Sequence, residues 1–179
     1  VTTMQMGVGL DDGDMLLKEE VVLREDETGG SLFDRLAEVG GALCVKTIEG
    51  LAEGSITPIP QDEAQATHVG MIKKSMGNLD FSRSAVELER LVRGLNPWPS
   101  AYTHLGNKTL KVWKARVDTE TKTEAQPGEV VSSDASGIAV ATGEGLFVME
   151  EIQLEGKKRM CVADFLRGRD IPVGTMLCD

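Results

Sequence analysis

Apolar and polar positions change period several times along the chain, and each change predicts a different element. "VTTMQMGVG" at the N-terminus alternates, and "DMLLKEEVVL" is rich in Leu and Val, so both segments are typical of strands. The segment "GLDDG" joins them, and its Gly13 is available for a positive φ. The pattern therefore predicts a β-hairpin with a somewhat long loop.

The next period is helical, in "SLFDRLAEVGGALCVKTIEGLAEG". Ser31 is the predicted N-cap and Gly54 the predicted stop. The Gly40–Gly41 pair weakens intrinsic helicity by about 1 kcal/mol per glycine, which close packing on a sheet would compensate. The apolar stripe of this helix consists of Phe33, Leu36, Ala37, Gly40, Cys44, Ile48 and Leu51.

Regular periods stop in "SITPIPQDEAQATHVGMIKKSMGNLDFSR", where Pro58 and Pro60 break helix and strand alike. We expect a linker that wraps over a surface, with a domain boundary near Met76.

A second helix is predicted in "SAVELERLVRGLN", because Ser84 and Glu87 have capping-box spacing. Its apolar face consists of Leu88, Leu91, Val92 and Leu95. The two prolines of "NPWP" forbid its continuation.

Short strands follow, separated by Gly, Asp and Ser turns. They are "AYTHL", "TLKVWKARV", "GEVVSS", "GIAVAT" and "GLFVMEEIQL", with "VADFLRGR" as a short helix and "GTML" as a last strand. This spacing favours a small barrel or sandwich.

The composition fits one ordinary domain or two small ones. The 179 residues are 41% hydrophobic and 27% charged, and no apolar run approaches the roughly 18 residues of a membrane span. The N-terminus does not resemble a signal peptide, and Val1 as first residue is typical of a fragment or a processed chain. The three widely spaced cysteines, Cys44, Cys161 and Cys178, favour free thiols in a reducing cytosol over a zinc site.

The net charge of −10 argues against simple nucleic-acid binding, but the charge is uneven. Residues 1–79 hold 6 Lys/Arg and 14 Asp/Glu, whereas residues 80–179 hold 13 and 15. Basic residues of the second part cluster at 108–116 and 157–159. Two interpretations stay open at this point: an anionic partner for that part, or a merely solvated strand face.

The loop "VGLDDGDML" places three carboxylates, Asp11, Asp12 and Asp14, around one glycine. An EF-hand is excluded, because the twelfth residue from Asp11 is Val22. Three interpretations remain open: a two-carboxylate magnesium site, although nothing here binds a phosphate, an Asx-rich turn, and an acid or base whose pKa burial raises.

Other candidate chemistry is weaker. His68 and His104 lie in no nucleophile motif, and the glycines lack the spacing of a dinucleotide fingerprint. Trp113 among lysines is typical of a core residue or, alternatively, of a single-strand stacking platform.

Several segments together resemble the methionyl-tRNA formyltransferase family. They are "VTTMQMGVGLDDGDML", "LFDRLAEVGGALCVKTIEGL", "PIPQDEAQATH", "LVRGLNPWPSAYT", "LKVWKARV" and "GKKRM…FLRGR…PVG", and they span essentially the whole chain in order. The resemblance implies an α/β remnant, the hairpin and helix that end a Rossmann-like formyltransferase domain, followed by a mostly β, OB-like barrel domain. The implied bounds are 1–55 for the catalytic part, 56–77 for the linker and 78–179 for the tRNA-binding domain.

The resemblance also implies the reaction: formyl transfer from 10-formyltetrahydrofolate to the amino group of initiator Met-tRNA. Asp11 matches the catalytic aspartate of the family's Leu-Asp-x-Gly motif. The folate-site loop would comprise Val8, Gly9, Leu10, Asp12, Gly13 and Asp14. The implied tRNA contacts are Lys108, Lys111, Lys114 and Arg116, because lysines and arginines on one side of such a barrel can bind phosphates.

The family's catalytic Asn and His and its Ser-Leu-Leu-Pro motif would lie upstream of Val1, so we expect this chain alone to be inactive. We further expect a cytoplasmic monomer that needs no metal and no membrane. Two alternatives remain: a stand-alone tRNA-binding module, and a sugar-nucleotide N-formyltransferase, whose Leu-Asp-x-Gly loop is similar.

Overall fold

The computed structural model describes residues 1–177 and divides into two compact units, Val1–Met71 and Ile72–Asp179. Cys178 lies outside the described residues. No helix of the described part is long and apolar enough to cross a membrane. The expected linker and domain bounds stay predictions.

The first unit contains a hairpin and one long helix. Strands β1 (Thr2–Met4) and β2 (Met15–Lys18) pair antiparallel, as predicted, and α1 follows at Gly29–Glu53. Ile59 pairs with Met15 in both directions, through N···O distances of 2.8 and 2.9 Å. A single 3-10 turn, Glu63–Gln65, comes next.

The N-cap predicted for α1 was wrong by one turn. Thr28 is the N-cap, and its hydroxyl accepts a hydrogen bond from Ser31 N, while Ser31 Oγ accepts from Thr28 N. Ser31 therefore completes the capping box from inside the helix. Gly54 ends the helix at φ 67°, as predicted, because glycine tolerates the left-handed conformation.

The predicted apolar stripe of α1 is mostly exposed. Phe33 is 74% and Ile48 62% exposed, whereas Leu43, Thr47 and Gly50 are buried. The helix has apolar residues on more than one face, and only the face turned to the hairpin is covered. Periodicity identifies such faces but does not choose between them.

The second unit is built on an antiparallel sheet. A 3-10 turn at Lys74–Gly77 precedes α2 (Ala85–Gly94), and α3 is Val162–Gly168. The strands are β3 (Ala101–Leu105), β4 (Lys108–Asp118), β5 (Val130–Asp134), β6 (Gly137–Ala141), β7 (Leu146–Leu154) and β8 (Met160–Cys161).

The six strands have the order β3-β4-β7-β6-β5, and β8 pairs with β7 beside β6. Among the described residues, no pairing joins β3 to β5, so the sheet is open rather than a closed barrel. The predicted strand "GTML" is not a regular strand but an isolated bridge between Met176 and Glu129, flanked by backbone hydrogen bonds to Gly128 and Val130. Pattern analysis missed β8, which has just two residues.

The core of this unit lies between the sheet and α2. Leu88 and Val92 of α2 are buried, as the helical period predicted, and pack with residues of β4, β6 and β7. Phe81 and Phe147 meet edge to face at 6.2 Å between ring centroids. The capping box of Ser84 and Glu87 is present, as expected.

Candidate functional site

The acidic loop, residues 5–14, is a closed turn at the end of the hairpin. Gln5 N donates to Asp14 O at 2.9 Å, which joins its two ends. A Cβ on Gly13 would lie 1.6 Å from Gln5 O, so no other residue fits there without a shift of the backbone. The loop therefore has a defined base, and Asp11 and Asp12 lie between its two ends.

Asp12 holds the loop from within. Its Oδ2 accepts a hydrogen bond from Gly9 N at 2.8 Å. A Cβ on Gly7 would come within 2.0 Å of Asp12 Oδ1, and one on Gly9 within 2.6 Å of Oδ2. The Asp12 carboxylate thus accepts from a backbone N–H of the turn, three residues upstream rather than two residues downstream as in an Asx turn.

Asp11 is in a different situation. Its side chain is exposed, and the carboxylate makes no hydrogen bond or ion pair with any described residue. Its backbone is in the left-handed region, at φ 54°, which aspartate tolerates better than most residues. Of the three aspartates, it is the one whose carboxylate is presented to solvent by a strained backbone.

Gln61 holds the outer side of the loop, 50 residues further along the chain. Its Nε2 donates to Asp11 O and to Gly13 O, both at 2.7 Å. Sequence analysis did not identify this residue. A signal existed, since Gln61 follows the Pro-Ile-Pro segment of one motif that carries the family resemblance.

An open groove of about 760 Å³ runs between the loop and the 60–66 segment, lined by Asp11, Asp14, Lys18, Gln61 and Asp62 among others. The hydrogen bond from Gln65 lowers the pKa of Asp62, aided by Ala64 N. Among the residues that the structure describes, no group of three side chains could hold a metal ion. The groove is acidic, which suits an amine or another cationic group.

The predicted basic residues lie on β4 of the second unit. Leu110 and Val112 face the core, so Lys111 faces away from it. A bulge between Val112 and Ala115 shifts the register, and Lys114 and Arg116 then also lie opposite the core. Lys108 is exposed at the start of the strand. We call Lys108, Lys111, Lys114 and Arg116 the β4 basic face.

Two of the four residues of the β4 basic face share one carboxylate, that of Glu150. Lys114 Nζ lies 3.0 Å from Glu150 Oε2, and Arg116 Nε lies 3.4 Å from Glu150 Oε1. The hydrogen bond to Glu150 raises the pKa of Lys114. Within the described part of the chain, Lys108 and Lys111 form no ion pair. These two lysines therefore have the charge that is most available to an anionic partner.

Trp113 is the half-buried centre of this surface. Lys111 Nζ lies 5.7 Å and Arg159 Cζ 5.0 Å from its ring centroid, within cation–π range. Its Nε1 donates to Gln153 Oε1 at 3.2 Å, and Arg159 Nε donates to Glu151 at 2.9 Å. Trp113 is thus a packing residue of the outer sheet face rather than a free stacking platform.

Neither histidine belongs to the acidic loop or to the β4 basic face. His68 is exposed in the irregular segment of the first unit. His104 is on β3 and meets Tyr102 edge to face at 5.7 Å between ring centroids. Cys44 and Cys161 are free thiols, as expected.

Comparison with known proteins covers nearly the whole chain. The family model "Formyl transferase, C-terminal domain" matches residues 71–170. The methionyl-tRNA formyltransferase of Lachnospira eligens is 54% identical over 181 residues, which cover 99% of this chain and 58% of that protein. That of Agathobacter rectalis is 48% identical over 175 residues, covering 98% and 56%. The chain thus spans little more than half the length of these relatives.

Solved structures share the fold at low sequence identity. HypX from Aquifex aeolicus in complex with tetrahydrofolic acid has a TM-score of 0.63 at 18% identity, covering 92% of this chain and 29% of HypX. The N-formyltransferase from Helicobacter canadensis, with folinic acid and dTDP-3-aminofucose, has a TM-score of 0.64 at 12% identity, covering 83% and 53%.

The family model and the curated relatives together match both units of the structure. The family model accounts for the sheet unit, and the relatives extend the match through the acidic loop and its hairpin. The chain therefore belongs to the formyltransferase family that carries this C-terminal domain.

Proposed function

We propose that these residues act within a methionyl-tRNA formyltransferase, which transfers formyl from 10-formyltetrahydrofolate to the methionine amino group of initiator Met-tRNA. One observation carries the proposal: relatives with that name match 98–99% of the chain at up to 54% identity. The likeness to HypX and to sugar N-formyltransferases is below 25% identity and supports the fold alone.

In the proposed formyl transfer, Asp11 acts on the attacking amine. Formyl transfer joins the amine nitrogen to the formyl carbon and breaks the bond from that carbon to the folate nitrogen. The attacking amine must lose a proton, and the tetrahedral oxyanion needs donors. The exposed carboxylate of Asp11 can orient the amine, or a partner that takes its proton, at the mouth of the groove. Donors for the oxyanion would come from elsewhere in the complete enzyme.

The folate would lie beside the acidic loop. Val8 and Leu10 are 106% and 83% exposed there, next to Gly9, Asp12, Gly13 and Asp14. Two exposed apolar side chains beside the acidic groove offer contacts to the flat, apolar part of a folate. The structure of Asp12 argues that it maintains the loop rather than reacts, because its carboxylate already accepts from Gly9 N.

The tRNA would meet the β4 basic face. Phosphate contacts need exposed positive charge and no base-specific geometry. Lys108 and Lys111 would contribute most, since Glu150 already pairs with Lys114 and Arg116. In this proposal, residues 1–55 complete a catalytic domain, 56–77 connect it, and 78–179 hold the tRNA. The cytoplasmic location and monomeric state stay predictions.

A fusion protein tests the proposal. The part of the Lachnospira eligens enzyme that precedes its match to this chain is joined to residues 1–179. We expect the fusion protein to formylate initiator Met-tRNA with 10-formyltetrahydrofolate, and residues 1–179 alone to give no turnover. A dTDP-amino sugar serves as the second acceptor. Formylation of the sugar but not of Met-tRNA would overturn the proposal.

A stand-alone tRNA-binding module is the second candidate, favoured by the separate core of residues 72–179. This candidate predicts that residues 72–179 bind tRNA tightly by themselves and take no part in catalysis. An inactive but folded fusion protein that still binds tRNA would support this second candidate instead.

A further inference from the structure

The amide of Gln61 makes two contacts with the acidic loop that the sequence pattern does not reveal. Its single Nε2 atom lies 2.7 Å from both Asp11 O and Gly13 O. A primary amide has two N–H hydrogens, so one side chain satisfies the two carbonyls on either side of Asp12. The contact joins parts of the chain that lie 50 and 48 residues apart.

The backbone on either side of Gln61 is ordered by hydrogen bonds. Two residues before it, Ile59 pairs with Met15 of β2 through both of its backbone groups. Directly after it, Asp62 Oδ1 accepts from Ala64 N at 3.0 Å and starts the 3-10 turn. The backbone before Gln61 is therefore paired with β2, which flanks the loop, and the backbone after it forms a local turn.

The other contacts of the loop do not replace this one. Gln5 and Asp14 close its base, and Asp12 binds Gly9 near its tip. Neither contact involves Asp11, whose left-handed backbone sets the direction of its carboxylate. The carbonyl of Asp11 accepts only from Gln61 among the described residues.

We propose that Gln61 is a positioning residue for Asp11: it holds the Asp11 and Gly13 carbonyls so that the Asp11 carboxylate points to the reacting amine. This inference rests on the proposed function, in which Asp11 takes part in formyl transfer. Gln61 also lines the groove, but in this role it acts through the loop carbonyls and not on the reacting atoms.

The test uses two variants of the fusion protein with opposite donor chemistry. Gln61→Glu is nearly isosteric but replaces the donor by an oxygen that repels both carbonyls. Gln61→Lys keeps N–H donors at similar reach. Gln65→Glu is the matched control, because Gln65 lies in the same segment and, among the described residues, its side chain donates only to Asp62.

Amide hydrogen exchange tests whether Gln61 holds the loop, and this measurement does not depend on enzymatic activity. We expect exchange in residues 8–14 to accelerate about tenfold in Gln61→Glu, and to stay within about twofold of the parent in Gln61→Lys and Gln65→Glu. Unchanged exchange in Gln61→Glu would show that Gln61 does not hold the loop, whatever reaction the enzyme performs. Melting temperatures confirm that each variant is folded.

Kinetics then test the positioning role. We expect Gln61→Glu to lower kcat about tenfold to a hundredfold with little change in KM for tRNA, and Gln61→Lys to restore most of it. In an Asp11→Asn background, Gln61→Glu should have no further effect, because both changes act on one group. Full additivity of the two changes would refute positioning through Asp11. An active Asp11→Asn enzyme would instead refute the role of Asp11 in the proposed function, while the exchange result stands.

Discussion

The hydroxyl oxygens of Thr3 on β1 and Thr47 on α1 lie 2.8 Å apart and form a hydrogen bond between hairpin and helix. Thr47 is buried, and its hydroxyl also lies 2.7 Å from Leu43 O. The hairpin that carries the acidic loop is thus attached to α1 through a polar contact in an otherwise small core.

Thr47→Val should loosen this attachment by about 1 kcal/mol, because it removes a buried hydrogen bond while keeping the shape of the side chain. We expect amides of β1 and β2 in the fusion protein to exchange about fivefold faster. Thr47→Ser, which keeps the hydroxyl, is the control. Equal acceleration in both variants would show that packing of the methyl group, rather than the hydrogen bond, matters.

Substitutions of Asp11 and Asp12 should distinguish a loss of activity from a loss of loop structure. We expect Asp11→Asn to lower kcat of the fusion protein about a hundredfold or more with an unchanged melting temperature. Asp12→Asn keeps an oxygen acceptor for Gly9 N, so it should retain most activity, whereas Asp12→Ala should also speed exchange in the loop. Comparable activity of Asp11→Asn and the parent would contradict the assignment.

Lys111→Glu should weaken tRNA binding more than Lys114→Glu does, because Lys114 is already paired with Glu150. Loss of one phosphate contact lowers the slope of log Kd against log salt by about 1. Binding is measured by filter retention between low and moderate salt. Lys122→Glu, an exposed lysine in a loop of the same unit, is the matched control for general charge. Equal losses at positions 111 and 122 would remove the β4 basic face from the proposal.

The stabilisation of the protein by the first turn of α2 should decrease in acid. Hydrogen bonds from Arg83 and from Ser84 lower the pKa of Glu87 from 4.5 to about 2. A lowered carboxyl pKa in the folded state stabilises the protein above pH 4.5, and this contribution disappears as the pH falls towards about 2. We therefore expect Glu87→Gln to reduce the melting temperature at pH 7, with the difference from the parent vanishing near pH 2.

Glu124→Gln is the control for that titration, because Glu124 is exposed and no hydrogen bond or ion pair holds its side chain among the described residues. A constant difference between Glu87→Gln and the parent across the acid range would show that the carboxylate charge does not stabilise α2.

Much of the fold follows from local sequence. The capping box of Ser84 and Glu87, the apolar face of α2 and the glycine stop of α1 depend on contacts within one or two turns, so their spacing along the chain is sufficient. Short apolar or alternating segments between turn residues likewise locate β3, β4, β6 and β7 closely. The family resemblance singled out Asp11, which local chemistry could not distinguish from its two neighbours.

Tertiary structure decided the features that depend on distant partners. The choice between the apolar faces of α1 depended on where the hairpin packs. A bulge in β4 places Lys114 and Arg116 opposite the core, where both pair with Glu150 from β7. Gln61 reaches a loop 50 residues away. Periodicity reports which faces and turns a segment can form, whereas ion pairs and hydrogen bonds between elements depend on register and approach in three dimensions.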